Sequence, residues 1–198
     1  MKYIKLDDCC IKITDYVASG SFASLKEHVL ISKIKDYAIM VKTADFANNF
    51  TKDLTYTNKH GYEFLSNSNL FGGELILSNI GSIGKVFIVP DLGCPMTLAS
   101  NSIMVKPKDN YKNKYLYYYF LSTYGQKSLR EISSGTSMQK FNKTMLKTIL
   151  VQDRNIKEQE KIINILDKIN NAIALKKEEL NSLGELIKSR FIGREVAA

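Results

Sequence analysis

A chain of 198 residues can bury one substantial core and a small accessory element, because domains usually hold about 100 to 200 residues. Its 44% apolar and 24% charged residues exclude a largely disordered chain. The net charge of +8 points to an anionic partner such as nucleic acid or a membrane surface, and the excess is concentrated in residues 1–153, where 19 Lys and Arg face 13 Asp and Glu, against 9 facing 7 in residues 154–198.

In chain order, Met1-Lys2-Tyr3-Ile4-Lys5-Leu6-Asp7-Asp8 lacks the apolar core of a signal peptide, and no run reaches the roughly 20 apolar residues of a membrane span. Cys9 and Cys10 are adjacent, a poor geometry for a mutual disulfide, and Cys94 stands apart. A soluble cytoplasmic protein with reduced thiols and no membrane partner is expected. Gly20-Ser21-Phe22-Ala23-Ser24-Leu25-Lys26 reads as a polar loop. Residues 37–41, 74–78, 85–89 and 102–105 are short β-branched or apolar runs bounded by Gly, Asn, Asp or Pro, the signal of strands. Gly81-Ser82-Ile83-Gly84 between two of them predicts a tight hairpin.

Residues 112–123 predict a helix with Leu116, Tyr119, Phe120 and Thr123 on one face, broken at Gly125 before a second helix over 126–132. Tyr115, Tyr117, Tyr118 and Tyr119 could stack bases as aromatics do in single-strand binders, although core packing is the commoner role in an amphipathic helix. A polar loop over 133–140 precedes Phe141-Asn142-Lys143-Thr144-Met145-Leu146 and the apolar run Thr148-Ile149-Leu150-Val151.

The last segment carries the clearest local signal. Asn155, with Glu158 three residues on, predicts a capping box in which each side chain satisfies a backbone N–H of the other. From there Ile162, Leu166, Ile169, Ile173, Lys176, Leu180, Leu183, Ile187 and Arg190 follow alternating spacings of four and three, a heptad seam. A helix over 155–192 would be about 57 Å long, more than a domain of this size covers. Each aliphatic residue left in water forfeits roughly 1.5–3 kcal/mol of burial, so a partner helix is expected; a helix folded back on its own domain is the alternative. Lys176 in mid-seam must carry its amine out to water or find a carboxylate such as Glu178 or Glu179 of a partner, which either fixes register or marks a weak centre.

Catalytic signatures are sparse. His28 and His60 stand alone in sequence and the cysteines form no C-x-x-C pair, so no zinc site is predicted. Asn79-Ile80-Gly81-Ser82-Ile83-Gly84-Lys85-Val86 lacks the leading Gly and the following Ser or Thr of a phosphate loop. Pro90-Asp91 could open a nuclease motif, but no Asp or Glu has a Lys two positions on. No Gly-rich strand-to-helix turn with a well-placed acid marks a dinucleotide or methyl-donor site.

Polar loops fit DNA reading better. Ser21, Ser24 and Lys26 lie in the first, Ser82 and Lys85 in the hairpin, and Ser137, Gln139, Lys140, Asn142 and Lys143 in the last. Hydroxyls and cations suit phosphate, and amides suit adenine edges. Each loop taken singly is more often just a solvated turn, since turns favour the same residues.

The order of features resembles the target recognition domain of type I restriction-modification specificity subunits. The resemblance is carried by Gly73-Glu74-Leu75-Ile76-Leu77-Ser78-Asn79-Ile80-Gly81-Ser82-Ile83-Gly84-Lys85, by Ser134-Gly135-Thr136-Ser137-Met138-Gln139-Lys140-Phe141-Asn142, by Leu146-Lys147-Thr148-Ile149-Leu150-Val151, and by Glu158-Gln159-Glu160-Lys161-Ile162. It departs in having Gln152-Asp153-Arg154-Asn155 where relatives carry proline before the Glu-Gln pair, and in holding one recognition domain and one conserved helix where a complete subunit has two. The resemblance implies an α+β fold: a DNA-binding recognition domain over residues 1–152 and a long coiled-coil-forming helix over 153–198. It implies a non-catalytic half-length subunit that reads one half of a bipartite double-stranded DNA target.

On the same resemblance, the helix would pair antiparallel in a homodimer through Ile162, Leu166, Ile169, Ile173, Lys176, Leu180, Leu183 and Ile187, and would seat methyltransferase subunits, with restriction subunits as further partners. S-adenosylmethionine and ATP would belong to those partners, leaving this chain without cofactor, metal or catalytic residue. The alternatives are a coiled-coil assembly adaptor whose globular part binds protein, and an enzyme with a divergent nuclease or methyltransferase site.

Overall fold

The uninterrupted apolar runs at residues 75–77 and 103–105 form the centre of the fold, because a strand buried on both faces needs no polar alternation. The computed structural model describes residues 2–81, 83–135 and 139–195, with side chains as far as Ser189. Strand β1 (Tyr3–Lys5) leads through one helical turn, α1 (Leu6–Cys9), into β2 (Cys10–Asp15). Next come α2 (Phe22–His28), β3 (Ala38–Val41), β4 (Tyr56–Thr57), α3 (Lys59–Phe64) and β5 (Asn69–Leu70). The central strands follow: β6 (Leu75–Ser78), β7 (Val86–Ile88), β8 (Met96–Leu98) and β9 (Ser102–Pro107). The remainder is α4 (Asn113–Leu121), α5 (Thr123–Glu131), α6 (Lys143–Lys147), β10 (Leu150–Gln152) and the long α7 (Ile156–Glu195). The α+β class and the long terminal helix agree with the sequence.

Two four-stranded sheets carry the core. One has the order β2-β9-β6-β7 with all neighbours antiparallel; the other has the order β4-β3-β8-β5, in which β3 and β8 are parallel. Ile76 lies opposite Met104 across β6 and β9, and both pack with Ile39, Val41, Leu70, Val89, Met96 and Leu98. Because side chains alternate along a strand, Leu75, Leu77, Ile103 and Val105 point to the opposite face, and they too are fully buried. At roughly 1.5–3 kcal/mol for each buried aliphatic side chain, these two layers dominate the stability of the body.

The strands predicted at 37–41, 74–78, 85–89 and 102–105 correspond to β3, β6, β7 and β9. The hairpin joins β6 to β7, closed by the Ser78 N–H donating to the Lys85 carbonyl at 3.0 Å. Gly84 turns there with φ +91°, and Gln126 fastens it by donating to its carbonyl at 2.8 Å. Two local expectations are corrected. The first polar loop, read over residues 20–26, turns from Phe22 onward into α2, because the Ser21 hydroxyl caps the helix by accepting from the Ser24 N–H. The break between the paired helices falls at Ser122, not at Gly125, which lies inside α5. Ser122 ends α4 in an extended conformation (ψ 160°), and its hydroxyl accepts from the Gly125 N–H at 3.2 Å. Gly125 serves close packing instead: a Cβ there would lie 2.2 Å from the Tyr119 carbonyl oxygen.

The tyrosines close a sheet edge. Tyr115 donates to the Gln152 carbonyl at 2.9 Å, Tyr119 to the Leu150 carbonyl at 2.6 Å, and Tyr111, one turn earlier, to the Asp153 carboxylate at 2.6 Å. These bonds hold β10, which pairs on its other edge with β1. The capping box forms as predicted, the Asn155 side chain accepting from the Glu158 N–H at 3.0 Å and the Glu158 carboxylate from the Asn155 N–H at 3.2 Å. The chain divides into two compact units, Met1–Gln159 and Glu160–Ala198, so the first turn of α7 belongs with the body.

Candidate nucleic-acid interface

Strand polarity decides which loops share an end of the body. β2 runs antiparallel to β9 with Asp15 opposite Ile103, and β6 antiparallel to β9 with Ser78 opposite Ser102. The segment leaving β2, the turn entering β9 and the β6–β7 hairpin therefore emerge together. β3 is parallel to β8, and the Ala99 N–H donates to the Val41 carbonyl at 2.9 Å, which brings the segment leaving β3 to the same end.

The loop preceding α6 is tied to this end through the hairpin. Lys140 exchanges two backbone bonds of 2.9 Å with Ser134 and forms a bridge to Ile80. The Gly81 N–H donates to the Gln139 carbonyl at 3.1 Å, and the Asn79 amide donates to the Phe141 carbonyl at 3.0 Å. Asp15, Tyr16, Phe22, Asn79, Ile80, Ser134, Lys140 and Asn142 thus line one open depression of about 370 Å³. Burial pushes the Tyr16 phenol above its ordinary range, so it stays protonated and able to donate. Among the described residues, the buried Asn79 side-chain oxygen finds no hydrogen-bond partner.

The predicted contact residues have distinct places here. Ser21 caps α2, Ser24 sits half-buried in its first turn, and Lys26 is exposed beside a neighbouring depression that also holds His28 and His60. Lys85 is exposed immediately before β7. Gln139 and Lys140 are exposed, and Asn142 caps α6 by accepting from the Met145 N–H at 2.9 Å. The Lys143 ammonium sits 2.9 Å from the Asp15 carboxylate, so its charge is matched within the body. Ser82 and Ser137 lie outside the described residues. Lys26, Lys85 and Lys140 make no ion pair among the described residues, so these three ammonium groups are uncompensated there. Sequence reasoning missed Asn79, Asn101 of the turn entering β9, which lines the same depression, and the segment leaving β3; the Asn and Asp between apolar runs were the available signal.

His28 Nδ1 and His60 Nε2 approach to 3.1 Å, although 32 residues apart in sequence. No group of three His, Cys, Asp or Glu side chains among the described residues is placed to hold a metal. No helix among them is long and apolar enough to cross a membrane.

Helix α7 presents the seam. Ile162 and Leu166 are half-buried, and Ile169, Ile173, Leu180, Leu183 and Ile187 are each about half exposed or more, from 48% to 67%. Lys176 bonds Glu179 of its own helix at 2.7 Å, so its amine turns out of the seam without a partner's carboxylate. The Arg190 side chain lies outside the described residues.

An α+β body with a cationic loop end, followed by a helix with an uncovered aliphatic seam, has the parts of a recognition subunit. The chain belongs to the type I restriction modification DNA specificity domain family, whose model matches residues 19–185. That family consists of specificity subunits, the non-catalytic components of restriction-modification complexes. The type I restriction enzyme MjaIX specificity subunit of Methanocaldococcus jannaschii is 29% identical over 127 residues, covering 62% of this chain and 29% of that protein.

Three solved chains share the fold. One, from work on complex assembly and conformational transition of the type I R-M system, matches 94% of this chain and 43% of its own with TM-score 0.65 and 16% identity. The HsdS subunit from Thermoanaerobacter tengcongensis matches 87% and 38% with TM-score 0.58 and 15% identity. The type I system S subunit from M. genitalium matches 86% and 39% with TM-score 0.54 and 16% identity. The chain spans less than half the length of each of these relatives.

Proposed function

We propose that this chain reads one half of a bipartite DNA target for a type I specificity subunit. Residues 1–152 act as the target recognition domain, and 153–198 as the helix that pairs antiparallel with a second copy and seats methyltransferase subunits. The observation that carries this is the family match over residues 19–185. Lys26, Lys85 and Lys140 meet phosphate, while Ser21, Ser24, Gln139 and Asn142, with Ser82 and Ser137, meet base edges and sugar. Lys143 contributes chiefly by holding Asp15 and α6 in place. S-adenosylmethionine and ATP act in partner subunits, with restriction subunits joining the same complex.

A two-fold dimer makes its two half-sites inverted copies, so the target is an interrupted palindrome. Methylation mapping of DNA exposed to this chain with its methyltransferase subunit is expected to return a split inverted repeat. An unsplit site, or modification without sequence preference, refutes the proposal. An assembly adaptor would use the same seam but would leave the cationic loop end without a role. Alanine at Lys26, Lys85, Lys140 and Lys143 separates the two, by weakening duplex binding while the dimer stays intact.

A further inference from the structure

We infer that residues 42–55, joining β3 to β4, form a rigid base-reading finger in which Asn49 reads a base edge and Lys52 holds a phosphate. This rests on the DNA-reading proposal and adds a segment that no motif in the sequence singled out. Hairpin connections normally take about 2–5 residues, and longer ones are usually either functional or disordered. This connection is long and braced.

Asn49, Phe50 and Asp53 all adopt left-handed backbone, with φ of 51°, 58° and 57°. Such conformations in residues other than glycine persist where the surroundings over-determine them. Lys42 Nζ donates to the Asp53 carbonyl at 2.9 Å and to the Thr55 hydroxyl at 2.8 Å, and lies 3.5 Å from the buried Asp45 carboxylate. The second Asp45 oxygen accepts from the Lys42 N–H at 2.8 Å, and the Asn48 amide donates to the Lys52 carbonyl at 3.0 Å. Phe46, Phe50 and Leu54 pack against the core between the sheets. With Phe46, Phe50 and Leu54 held inward, the tip turns Asn49, Thr51, Lys52 and Asp53 to solvent.

The finger stands at the loop end already described. Phe46 stacks on Phe87 of β7 at 4.3 Å, and Thr43, Ala44, Phe46 and Ala47 border one depression with Lys85. Asn79 and Ile80 of the same hairpin border the depression that holds Lys140. An asparagine amide offers the paired donor and acceptor that match adenine in the major groove, and an ammonium offers attraction to phosphate that offsets Asp53. A tip that is rigid before binding reads bases without an ordering penalty on association.

The test is selection from a randomised duplex pool by the full chain with its methyltransferase partner. Asn49→Gly removes the amide and keeps the left-handed backbone, because glycine adopts positive φ freely, and a melting curve confirms the fold. It is expected to lose roughly 5- to 150-fold of preference at one base pair, the range of a single bidentate contact, with the rest of the motif unchanged. Asn49→Asp shifts that position toward a pair presenting the cytosine amine. Lys52→Ala lowers binding to all sequences alike and flattens the salt dependence by about one unit. The finger is overturned if wild type selects a motif and Asn49→Gly selects the same one with equal strength, or weakens every sequence equally. A wild-type complex that selects no motif removes the DNA-reading proposal, and the finger falls with it.

Discussion

Gln159 joins the first turn of the long helix to the body through three bonds, and replacing it with methionine keeps its volume while removing all of them. The side chain is fully buried. Its amide donates to the Asn110 carbonyl at 3.0 Å and to the Arg154 carbonyl at 2.7 Å, and its oxygen accepts from the Lys112 N–H at 2.8 Å. Asn110 and Lys112 lie at the surface, where water can re-pair their groups, so each bond counts at about 1 kcal/mol, the ordinary net value. The apolar methionine recovers about 1 kcal/mol, leaving a loss of about 2 kcal/mol from a stability of order 5–15 kcal/mol.

Urea unfolding followed by tyrosine fluorescence suits a chain with eleven tyrosines and no tryptophan. At a slope of about 2 kcal/mol per molar urea, the midpoint falls by about 1 M at equal protomer concentration. Gln159→Glu at neutral pH should fall further, because a carboxylate would face two carbonyl oxygens. A shift below about 0.2 M for methionine, or glutamate tolerated as well as methionine, would refute the assignment of Gln159 as the anchor.

Leu180→Asp or Ile173→Asp should dissociate the proposed dimer in sedimentation, since each places an unpaired charge in the seam; an unchanged dimer excludes that seam as the interface. Alanine at Lys26, Lys85 or Lys140 should each reduce the slope of log affinity against log salt by about one, with a smaller effect at Lys143, and an unchanged slope removes them from the interface. Hydrogen bonds from Tyr111 and then Lys2 hold the Asp153 carboxyl below its ordinary value of 3.8. Its contribution to stability is complete above that value and is lost as pH falls through the lower folded one, so Asp153→Asn should flatten the acid limb of the stability profile; matching limbs overturn this. Burial pushes the Cys9 thiol to about 11 and the Cys10 thiol to about 12, while Cys94 is exposed. One thiol should therefore react with a disulfide reagent at pH 8 in the native protein and all three in denaturant.

The parts legible in the sequence were those encoded by neighbours along the chain. The Asn155–Glu158 cap and the seam from Ile162 to Ile187 depend on i, i+3 and i, i+4 relations that any helix expresses. β6 and β9 announced themselves as runs too apolar to be anything but buried. β8 did not, because Met96-Thr97-Leu98 is too short to show a period.

Gly125 was misleading for a similar reason: the residue suggests a break, whereas its use depends on a backbone from the preceding helix arriving 2.2 Å from where its Cβ would be. Local spacing by itself determined the central strands, the long helix and its sticky face, since hydrogen-bond and hydrophobic periodicity act over a few residues. Only the tertiary structure decided that the segments after β2, β3 and β6 and before α6 share one end. That follows from strand order and direction, which are set by pairing between residues as distant as Asp15 and Ile103, where no rule of spacing reaches.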